Sequence, residues 1–381
     1  MDFLTNSYLW TALTYVVPFL VVLGVVVFVH EMGHFLVARY FNVSVDAFSI
    51  GFGPELYGFN DRHGTRWRIA AIPLGGYVKF KGDENAASIP SREDLSRLSD
   101  EERRGNFHAK PVGQRAAVVF AGPAANFILA LFILTFWFMF VGKSIVEPRI
   151  ETVQPDSPAA AAGLQPGDLI VEVEGSQVRS FDEVSRIVQL NADTELNLTV
   201  ERGGQRIPLK ATPKLDERKD QFGNTVKVGL LGISRPTRPE DVRIERYGPV
   251  GAFSESLSET WFLVKQPFVY IQKLVMRKAD ADQLGGVIRI AQYSGEIASL
   301  SLLQLVHWIA VISINIGLLN LFPIPLLDGG HLLFYGIEAI RGRPLSERTL
   351  EIGFRIGFAL VIMLMIFATR NDVIHLLRRI G

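Results

Sequence analysis

The sequence predicts a polytopic α-helical membrane protein with about four transmembrane helices, a membrane-reentrant β-hairpin and an inserted extracytoplasmic α+β domain. Hydrophobic residues make up 48% of the 381 positions and charged residues 20%. A soluble domain of this length is normally less apolar and more charged. Uncharged runs long enough to cross a bilayer recur along the chain. Between two of them lies a block of short alternating strands and helices, which predicts the inserted domain.

Composition also limits the partners and ligands. The formal net charge is zero, so bulk attraction to nucleic acid is not indicated and we expect no nucleic-acid partner. The chain contains no cysteine, which rules out a disulfide framework and thiolate zinc ligands. Any metal must therefore be held by histidine and carboxylate side chains.

The first uncharged run, Trp10 to Val29, has the length of a membrane span, and we expect its helix to continue to about Tyr40. At its end stand His30, Glu31 and His34 in the spacing HExxH. Two imidazoles one helical turn apart can hold one zinc ion, with Glu31 beside them as a base. The alternative is a pair of interfacial histidines. Burying two imidazoles and a carboxylate beside a membrane span is expensive, which favours the metal site.

A loop rich in lysine and arginine follows, from Arg39 to Arg115, whereas the first nine residues carry no basic side chain. The positive-inside rule then places the amino terminus outside and this loop in the cytoplasm. The two histidines are accordingly expected on the cytoplasmic side of the membrane.

Two apolar segments of this loop, Phe48–Pro54 and Trp67–Phe80, are predicted to be short strands broken by glycine and proline turns. One interpretation is a small soluble β-sheet. The other is a reentrant β element that reaches toward the metal, which is allowed only where protein or water lines it. Residues 83–104 are charged and are predicted to form a solvated helix and loop.

A second span is predicted from Ala116 to Val141 and contains Gly122-Pro123-Ala124-Ala125-Asn126. Small residues at this point let another helix approach closely, and Asn126 can form a hydrogen bond inside the bundle. Ordinary helix packing explains these residues at least as well as a catalytic role does.

The middle block contains a predicted helix from Phe181 to Leu190 and predicted strands at Leu196–Val200 and Ile207–Ala211. Val228–Ile233 is predicted to be the closing strand. Together with the strand, short helix and Gly-Asp turn of residues 150–170, this pattern resembles a PDZ domain of the permuted bacterial kind. Such domains bind extended peptides by strand addition, here along the 181–190 helix. One such domain is present.

After this domain, residues 247–294 are predicted to form interfacial amphipathic helices with a kink near Pro267. The uncharged stretch Ile297–Leu327 is long enough to cross the membrane, and its prolines must then break the helix. Asp328 follows as an acid at membrane depth on an unwound segment. A zinc ion held by two histidines needs a third protein ligand, and Asp328 is the best candidate; the alternative is a helix cap.

A second basic loop and a fourth span, Ile352–Thr369, complete the predicted topology. Four spans put both termini outside. The basic residues of the carboxyl-terminal tail argue mildly against this placement.

The HExxH residues, the Gly-Pro-Ala-Ala-Asn of the second span, the PDZ insertion and the Asn320–Asp328 segment occur in the order seen in site-2 proteases. The chain resembles the RseP-type intramembrane zinc metalloproteases of bacteria over nearly its whole length. The resemblance implies one Zn²⁺ held by His30, His34 and Asp328, Glu31 as catalytic base, and Asn320 on the substrate backbone or oxyanion. It also implies a substrate-clamping region, formed by Gly51, Phe52, Gly53, Gly75, Gly76 and Tyr77. The best-known relatives have two PDZ domains, so a paired-PDZ size filter is not expected here.

The resemblance implies the bacterial inner membrane as the location, with the PDZ domain and both termini in the periplasm. The expected division is 1–141 for the first two spans, 142–235 for the PDZ domain, 236–296 for a periplasmic helical segment and 297–381 for the last two spans. The expected partners are the bilayer, single-pass membrane substrates such as anti-sigma factors or remnant signal peptides, and peptide segments at the PDZ domain. Cleavage would typically follow an earlier cut by another protease.

Two other classes of function fit parts of the sequence. A non-catalytic PDZ-bearing membrane scaffold would tolerate a degenerate metal site, whereas all expected ligands are present. A metal transporter would line a path with more intramembrane polar residues than the sequence contains.

Overall fold

The computed structural model describes residues 2–83, 99–219, 225–236, 238–276, 281 and 284–380. It divides into two compact units. The first, the membrane unit, comprises Met1–Leu134 and Gly285–Arg378, and the second, the inserted unit, comprises Thr135–Leu284 and Arg379–Gly381. Of the segment predicted to be solvated, residues 84–98 lie outside the described part of the chain, and Asp100–Gly105 is a short helix.

Long helices dominate the membrane unit. They are α1 (Asp2–Tyr40), α3 (Val112–Phe136, continued as a π-helical turn over Trp137–Val141), α7 (Val287–Leu300), α8 (Leu302–Asn320), α9 (Asp328–Arg341) and α10 (Glu347–Ile380). The short helix α2 (Asp100–Gly105) precedes α3. Two strands, β1 (Val45–Asn60) and β2 (Arg66–Phe80), follow α1. The elements between α3 and α7 belong mainly to the inserted unit.

Within the described residues, four helices are long and apolar enough to cross a membrane: Leu13–Tyr40, Val112–Val141, Leu302–Asn320 and Arg348–Leu377. Large apolar side chains of these helices are exposed in the isolated chain, among them Val21 on α1 and Ile366 on α10. Water would disfavour apolar faces of this extent, whereas lipid accommodates them. The number of predicted spans is confirmed in length and composition, and each candidate helix overlaps its predicted span.

The third span begins later than predicted. The uncharged stretch from Ile297 is interrupted at Ser301, whose extended backbone ends α7 and whose hydroxyl accepts a hydrogen bond from Leu303 N at the start of α8. Hydropathy treats the two helices as one because a single serine adds no charge. The helix cap, a local hydrogen bond, sets the boundary.

The hairpin is longer and more bent than two short strands. The first half of β1 pairs with both ends of β2, so that Ile50 lies opposite both Gly76 and Ile69. The second half of β1 pairs with the first part of β2, where Tyr57 lies opposite Ile69. The carboxyl-terminal part of β2 packs on α1. Buried aromatic residues, including Phe48 and Phe80, join it to the core of the membrane unit.

The inserted unit combines short strands with two longer helices. Its elements are β3 (Lys143–Val146), β4 (Thr152–Val153), α4 (Pro158–Ala161), β5 (Leu169–Val173), β6 (Ser176–Gln177), α5 (Phe181–Leu190), β7 (Leu196–Arg202), β8 (Gln205–Ala211), β9 (Lys214–Lys219), β10 (Thr225–Leu230), β11 (Ile233–Ser234), β12 (Val242–Glu245) and α6 (Pro249–Val275). A four-stranded sheet in the order β6-β5-β7-β8 and the helix α5 enclose an apolar core. The predicted helix 181–190 and both predicted strands of this sheet are confirmed.

The predicted closing strand, Val228–Ile233, is wrong as a single element. Its first part belongs to β10, which pairs with β9, and its last residue belongs to β11, which pairs with β4. Gly232 separates them with φ of 79°, a left-handed backbone that ends an extended strand. In the region predicted to hold amphipathic helices, α6 is continuous through Pro267 and is not among the candidate spans of the described chain.

Candidate metal centre

His30 and His34 turn their Nε2 atoms toward each other from one face of α1. The two Nε2 atoms are 3.3 Å apart, and the rings meet edge to face with centroids 4.8 Å apart. Both side chains are buried. The helix therefore places the two imidazoles as their spacing of four residues predicts.

Asp328 brings its carboxylate to the same point from another part of the chain. Its Oδ2 lies 3.1 Å from His30 Nε2 and its Oδ1 lies 3.5 Å from His34 Nε2. Within the described residues, the three side chains form a group whose ligand atoms all lie within 4.8 Å of one another. Such a group could hold a metal ion.

The structure also tests the alternative that Asp328 is a helix cap. The unwound segment ends one residue earlier than predicted, at Leu327, which is the N-cap of α9 and makes no side-chain capping bond; Asp328 is the first helical residue. Its carboxylate faces the two histidines. The capping alternative is therefore wrong.

The donor set fits zinc. Asp328 Oδ2 is buried and, in the part of the chain that the structure describes, forms no hydrogen bond of acceptable geometry. Leaving a buried carboxylate oxygen without a donor is unfavourable, and a cation between the carboxylate and the imidazoles removes that penalty. Two imidazole nitrogens and a carboxylate oxygen are the protein ligands of many catalytic zinc sites, which keep a fourth position for water.

A tight turn over residues 321–327 sets the position of Asp328. Leu326 in this turn has φ of 94°, a conformation that side-chain-bearing residues rarely adopt. The turn folds back over the start of α9. A Cβ at Gly329 would lie 2.3 Å from turn carbonyl oxygens, and a Cβ at Gly330 would lie 2.4 Å from another. The glycine pair after Asp328 is therefore required by the turn, a signal that the sequence interpretation did not use.

Small residues also let α3 cross α1 at the histidines. A Cβ at Gly33 would lie 2.3 Å from the Ala121 carbonyl oxygen, and a Cβ at Gly122 would lie 2.3 Å from His34 Nε2. Helix packing and a catalytic role were the two explanations left open for the small residues of the second span, and both concern this helix crossing. Its small residues do serve helix packing, and the surface they pack against includes His34, one of the three candidate ligands.

Hydrogen-bonding groups lie behind and beside the ligands. His34 Nδ1 is 2.9 Å from the Val118 carbonyl oxygen, to which it donates. His30 Nδ1 is 3.2 Å from Nδ2 of the fully buried Asn126. Asn320 Nδ2 lies 3.4 Å from His30 Nε2. Sequence reasoning missed Val118, because a backbone carbonyl leaves no pattern of residue types.

An ion pair holds α9, which begins with Asp328, against α3. Arg115 pairs with Glu338, and its guanidinium carbon lies 4.8 Å from the centroid of the Tyr335 ring. Both charged side chains are mostly buried. This contact restricts how far the helix of the third ligand can shift relative to α3.

Glu31 is buried between the ligands and the hairpin. A Cβ at Gly76 would lie 3.2 Å from Glu31 Cγ and 2.7 Å from the Ser49 carbonyl oxygen. Glycine at position 76 therefore allows β2 to pass directly beside this carboxylate. This contact places a β element beside the HExxH residues. The expected entry of that element into the membrane stays a prediction.

The six residues expected to clamp substrate all lie in the hairpin, three on β1 and three on β2. They are Gly51, Phe52, Gly53, Gly75, Gly76 and Tyr77. The rings of Phe52 and Tyr77 stack with centroids 6.1 Å apart. A Cβ at Gly75 would lie 2.5 Å from the Phe52 ring, so glycine is needed for this packing.

The family model for peptidase family M50 matches residues 18–364 of the chain. The chain belongs to peptidase family M50. It is a metalloprotease of the site-2 protease type.

Curated relatives match almost the full length of this chain. A protein of Brucella suis biovar 1 that carries the name of a zinc metalloprotease is 49% identical over 358 residues, covering 94% of this chain and 94% of that protein. A protein of Caulobacter vibrioides named metalloprotease MmpA is 40% identical over 380 residues, covering 94% of each. Among solved structures, the PDZ domain of an SdrC-like protein from Listeria innocua covers 24% of this chain and 96% of its own, with 22% identity and a TM-score of 0.19.

Proposed function

We propose that this M50 metalloprotease hydrolyses peptide bonds inside transmembrane segments of single-pass membrane proteins, after another protease has removed the substrate's outer domain. The observation that carries the proposal is the position of the site. His30, His34 and Glu31 lie within a candidate membrane span, and Asp328 joins them from the start of α9, directly after the turn that follows another candidate span. A peptide bond cut at this site has to be one that reaches membrane depth.

One zinc ion per chain would be held by His30 Nε2, His34 Nε2 and the Asp328 carboxylate. When bound, zinc supplies Lewis-acid polarisation of water and of a carbonyl oxygen. His30 and His34 are buried, and Asp328 is partly buried with its Oδ2 shielded from solvent.

The remaining steps belong to protein side chains. Glu31 accepts a proton from the attacking water and delivers it to the leaving amine nitrogen. Asn320, whose amide lies beside the ligands, donates a hydrogen bond to the scissile carbonyl oxygen as negative charge develops on it.

The hairpin receives the substrate as an added strand. A transmembrane helix hides its amides in its own hydrogen bonds, so it must unwind before cleavage. An unwound segment in the membrane needs partners for its backbone, and the edge of β2 at Gly76 lies directly beside Glu31. In this proposal, Gly51, Phe52, Gly53, Gly75, Gly76 and Tyr77 shape that edge.

The inserted unit is PDZ-like and binds extended peptide segments along α5. A cavity of about 500 Å³ lies between α5 and α6. Lys143 Nζ lies 2.7 Å from both Glu183 on α5 and Glu255 on α6, and Arg186 on α5 lies 2.8 Å from Glu259 on α6. These ion pairs hold α5 and α6 in place, so the surface that a peptide would contact along α5 is already formed before it binds.

The proposed location is the bacterial inner membrane, with the PDZ-like unit and both termini in the periplasm. The proposed domains are 1–141 for the first two spans, 142–235 for the PDZ-like domain, 236–296 for the periplasmic helical segment and 297–381 for the last two spans. The absence of cysteine makes the topology easy to test, because Gln177→Cys and Arg62→Cys replace exposed side chains in a thiol-free background. An impermeant thiol reagent added to spheroplasts should label position 177 at once and position 62 after lysis. The opposite order would overturn the orientation.

The catalytic proposal is tested with Glu31→Gln, which keeps the size of the side chain and removes the base. A reporter carries a tag on each side of a single membrane-spanning segment. Cleavage should fall to background while the zinc content of the purified chain stays unchanged. Glu351→Gln on exposed α10 is the matched control and should cleave normally. Unchanged cleavage by Glu31→Gln would sink the assignment and favour a non-catalytic PDZ-bearing scaffold.

A further inference from the structure

Asn126 is fully buried on α3 and faces the first metal ligand. Its Nδ2 lies 3.2 Å from His30 Nδ1. Its own backbone carbonyl accepts a hydrogen bond of 2.9 Å from Ser313 on α8. A Cβ at Gly317 would lie 3.2 Å from Asn126 Cβ, so α8 approaches closely. The side chain is fixed in place by two neighbouring helices.

The amide of Asn126 is only half satisfied as oriented. Its Oδ1 is buried and, among the described residues, has no hydrogen-bond partner. A half-turn of the amide exchanges Nδ2 and Oδ1 with almost no change in shape. The choice between the two orientations therefore depends on what His30 needs.

His30 needs an acceptor at Nδ1. Its Nε2 faces Asp328 Oδ2 at 3.1 Å and His34 Nε2 at 3.3 Å, so Nε2 is the nitrogen that a metal would bind. A neutral imidazole with a lone pair on Nε2 carries its proton on Nδ1. His34 shows the same arrangement, because its Nδ1 faces the Val118 carbonyl oxygen at 2.9 Å.

We infer that Asn126 turns its amide oxygen toward His30 and accepts the Nδ1 proton. Asn126 is thus a positioning residue that keeps the Nε2 lone pair of His30 directed at the metal. The backbone of Val118 does the same for His34. This inference rests on the proposed zinc site, and it assigns a chemical role to the asparagine of the second span.

The test compares zinc affinities of the purified full-length chain in detergent, measured by competition with a chelator. Asn126→Leu keeps the volume and removes the acceptor, and zinc affinity should fall roughly 10- to 100-fold, the range for groups behind metal ligands. Asn126→Asp presents an oxygen in either orientation and should bind zinc at least as tightly as the wild type. Asn315→Leu is the control, since the Asn315 amide donates to the Val311 carbonyl of its own helix.

Two results would overturn the inference: wild-type affinity in Asn126→Leu, or equal weakening by Asn126→Leu and Asn126→Asp. If the wild-type chain binds no zinc, the proposed metal site itself fails, which is a distinct outcome. Should the variants not fold, nitrogen-15 NMR of histidine-labelled, zinc-loaded wild type decides the matter. Both site histidines should carry the proton on Nδ1, and a proton on Nε2 of His30 would contradict the inference.

Discussion

Two aspartates with buried carboxylate oxygens show how differently one residue type is used in this molecule. Asp168 in the inserted unit has both oxygens satisfied: Arg202 donates to each at 2.7 Å, and the Gln165 backbone amide donates to Oδ2 at 2.9 Å. Asp328 in the membrane unit faces two imidazoles, and its Oδ2 forms no hydrogen bond among the described residues.

The difference separates a structural carboxylate from a functional one. A fully paired buried carboxylate stabilises the fold around it, and removing it leaves its partners unsatisfied. A carboxylate oxygen that lies beside imidazoles without a hydrogen-bond partner is available to a ligand, which is the role proposed for Asp328. The substitutions below should affect stability at Asp168 and metal binding at Asp328.

The largest effect is expected from Asp328→Asn. The amide keeps the shape and loses the charge that a zinc ligand requires, so reporter cleavage should fall to background. Zinc affinity should fall by more than the roughly 100-fold upper range for residues behind the ligands. Chelator competition on the purified chain measures this. Loss of folded protein with zinc affinity unchanged would show that Asp328, like Asp168, is structural.

Gly122→Ala should have the next largest effect. A Cβ there would lie 2.3 Å from His34 Nε2, and overpacking of this kind costs about 1–3 kcal/mol, partly by displacing the ring. Zinc affinity and cleavage should both decrease.

Gly113→Ala is the control in the same helix, because a Cβ at that glycine meets nothing within 4 Å. If both alanine variants behave alike, close packing on His34 is not what position 122 provides.

Asp168→Asn should affect the stability of the inserted unit and leave metal binding unchanged. Losing the charged acceptor of a buried hydrogen-bonded pair should lower the unfolding free energy of the inserted unit by about 1–3 kcal/mol. Hydrogen exchange of its amides in the full-length chain would show this as faster exchange in β5 and β7. Zinc content should not change, and a loss of zinc would remove the distinction between the two aspartates.

The smallest expected effect is a dependence of the inserted unit's stability on pH. Burial raises the pKa of Asp168, but the Arg202 hydrogen bonds, the Gln165 amide and the Arg202 charge outweigh it and hold that pKa below its ordinary value. A lowered folded-state pKa contributes stability that is complete above the unfolded-state pKa of about 4 and is lost as pH falls through the folded-state pKa. The protection factors of the amides in the inserted unit, which correct for the pH dependence of intrinsic exchange, should therefore fall on acidification below about pH 4. Asp168→Asn should reduce this slope, and an identical slope would contradict the assignment.

Local patterns predicted much of this architecture. The first helix ends at Tyr40 as its apolar run and motif indicated, and α5 begins and ends where its periodicity placed it. The three residues that converge are the ones expected from the sequence, because their residue types and the HExxH spacing indicate metal binding.

Other features depend on tertiary contacts and left little trace in the sequence. The double pairing of β1 with β2 requires strands far apart to meet, and the break at Ser301 depends on a hydrogen bond without any change in charge. The contact of Gly122 with His34 and the partner of Asn126 appear only when α3 is placed against α1. Val118 acts through its backbone carbonyl, which no residue pattern reveals.

The central claim is that His30, His34 and Asp328 hold one zinc ion. X-ray absorption at the zinc edge, combined with metal analysis of the purified full-length chain, tests it directly. The wild type should contain one zinc per chain with nitrogen and oxygen ligands at about 2.0–2.2 Å, His34→Ala should lose one imidazole from the spectrum or lose the metal, and Asp168→Asn should match the wild type. A wild-type chain without zinc, or with a spectrum unchanged by His34→Ala, would contradict the account.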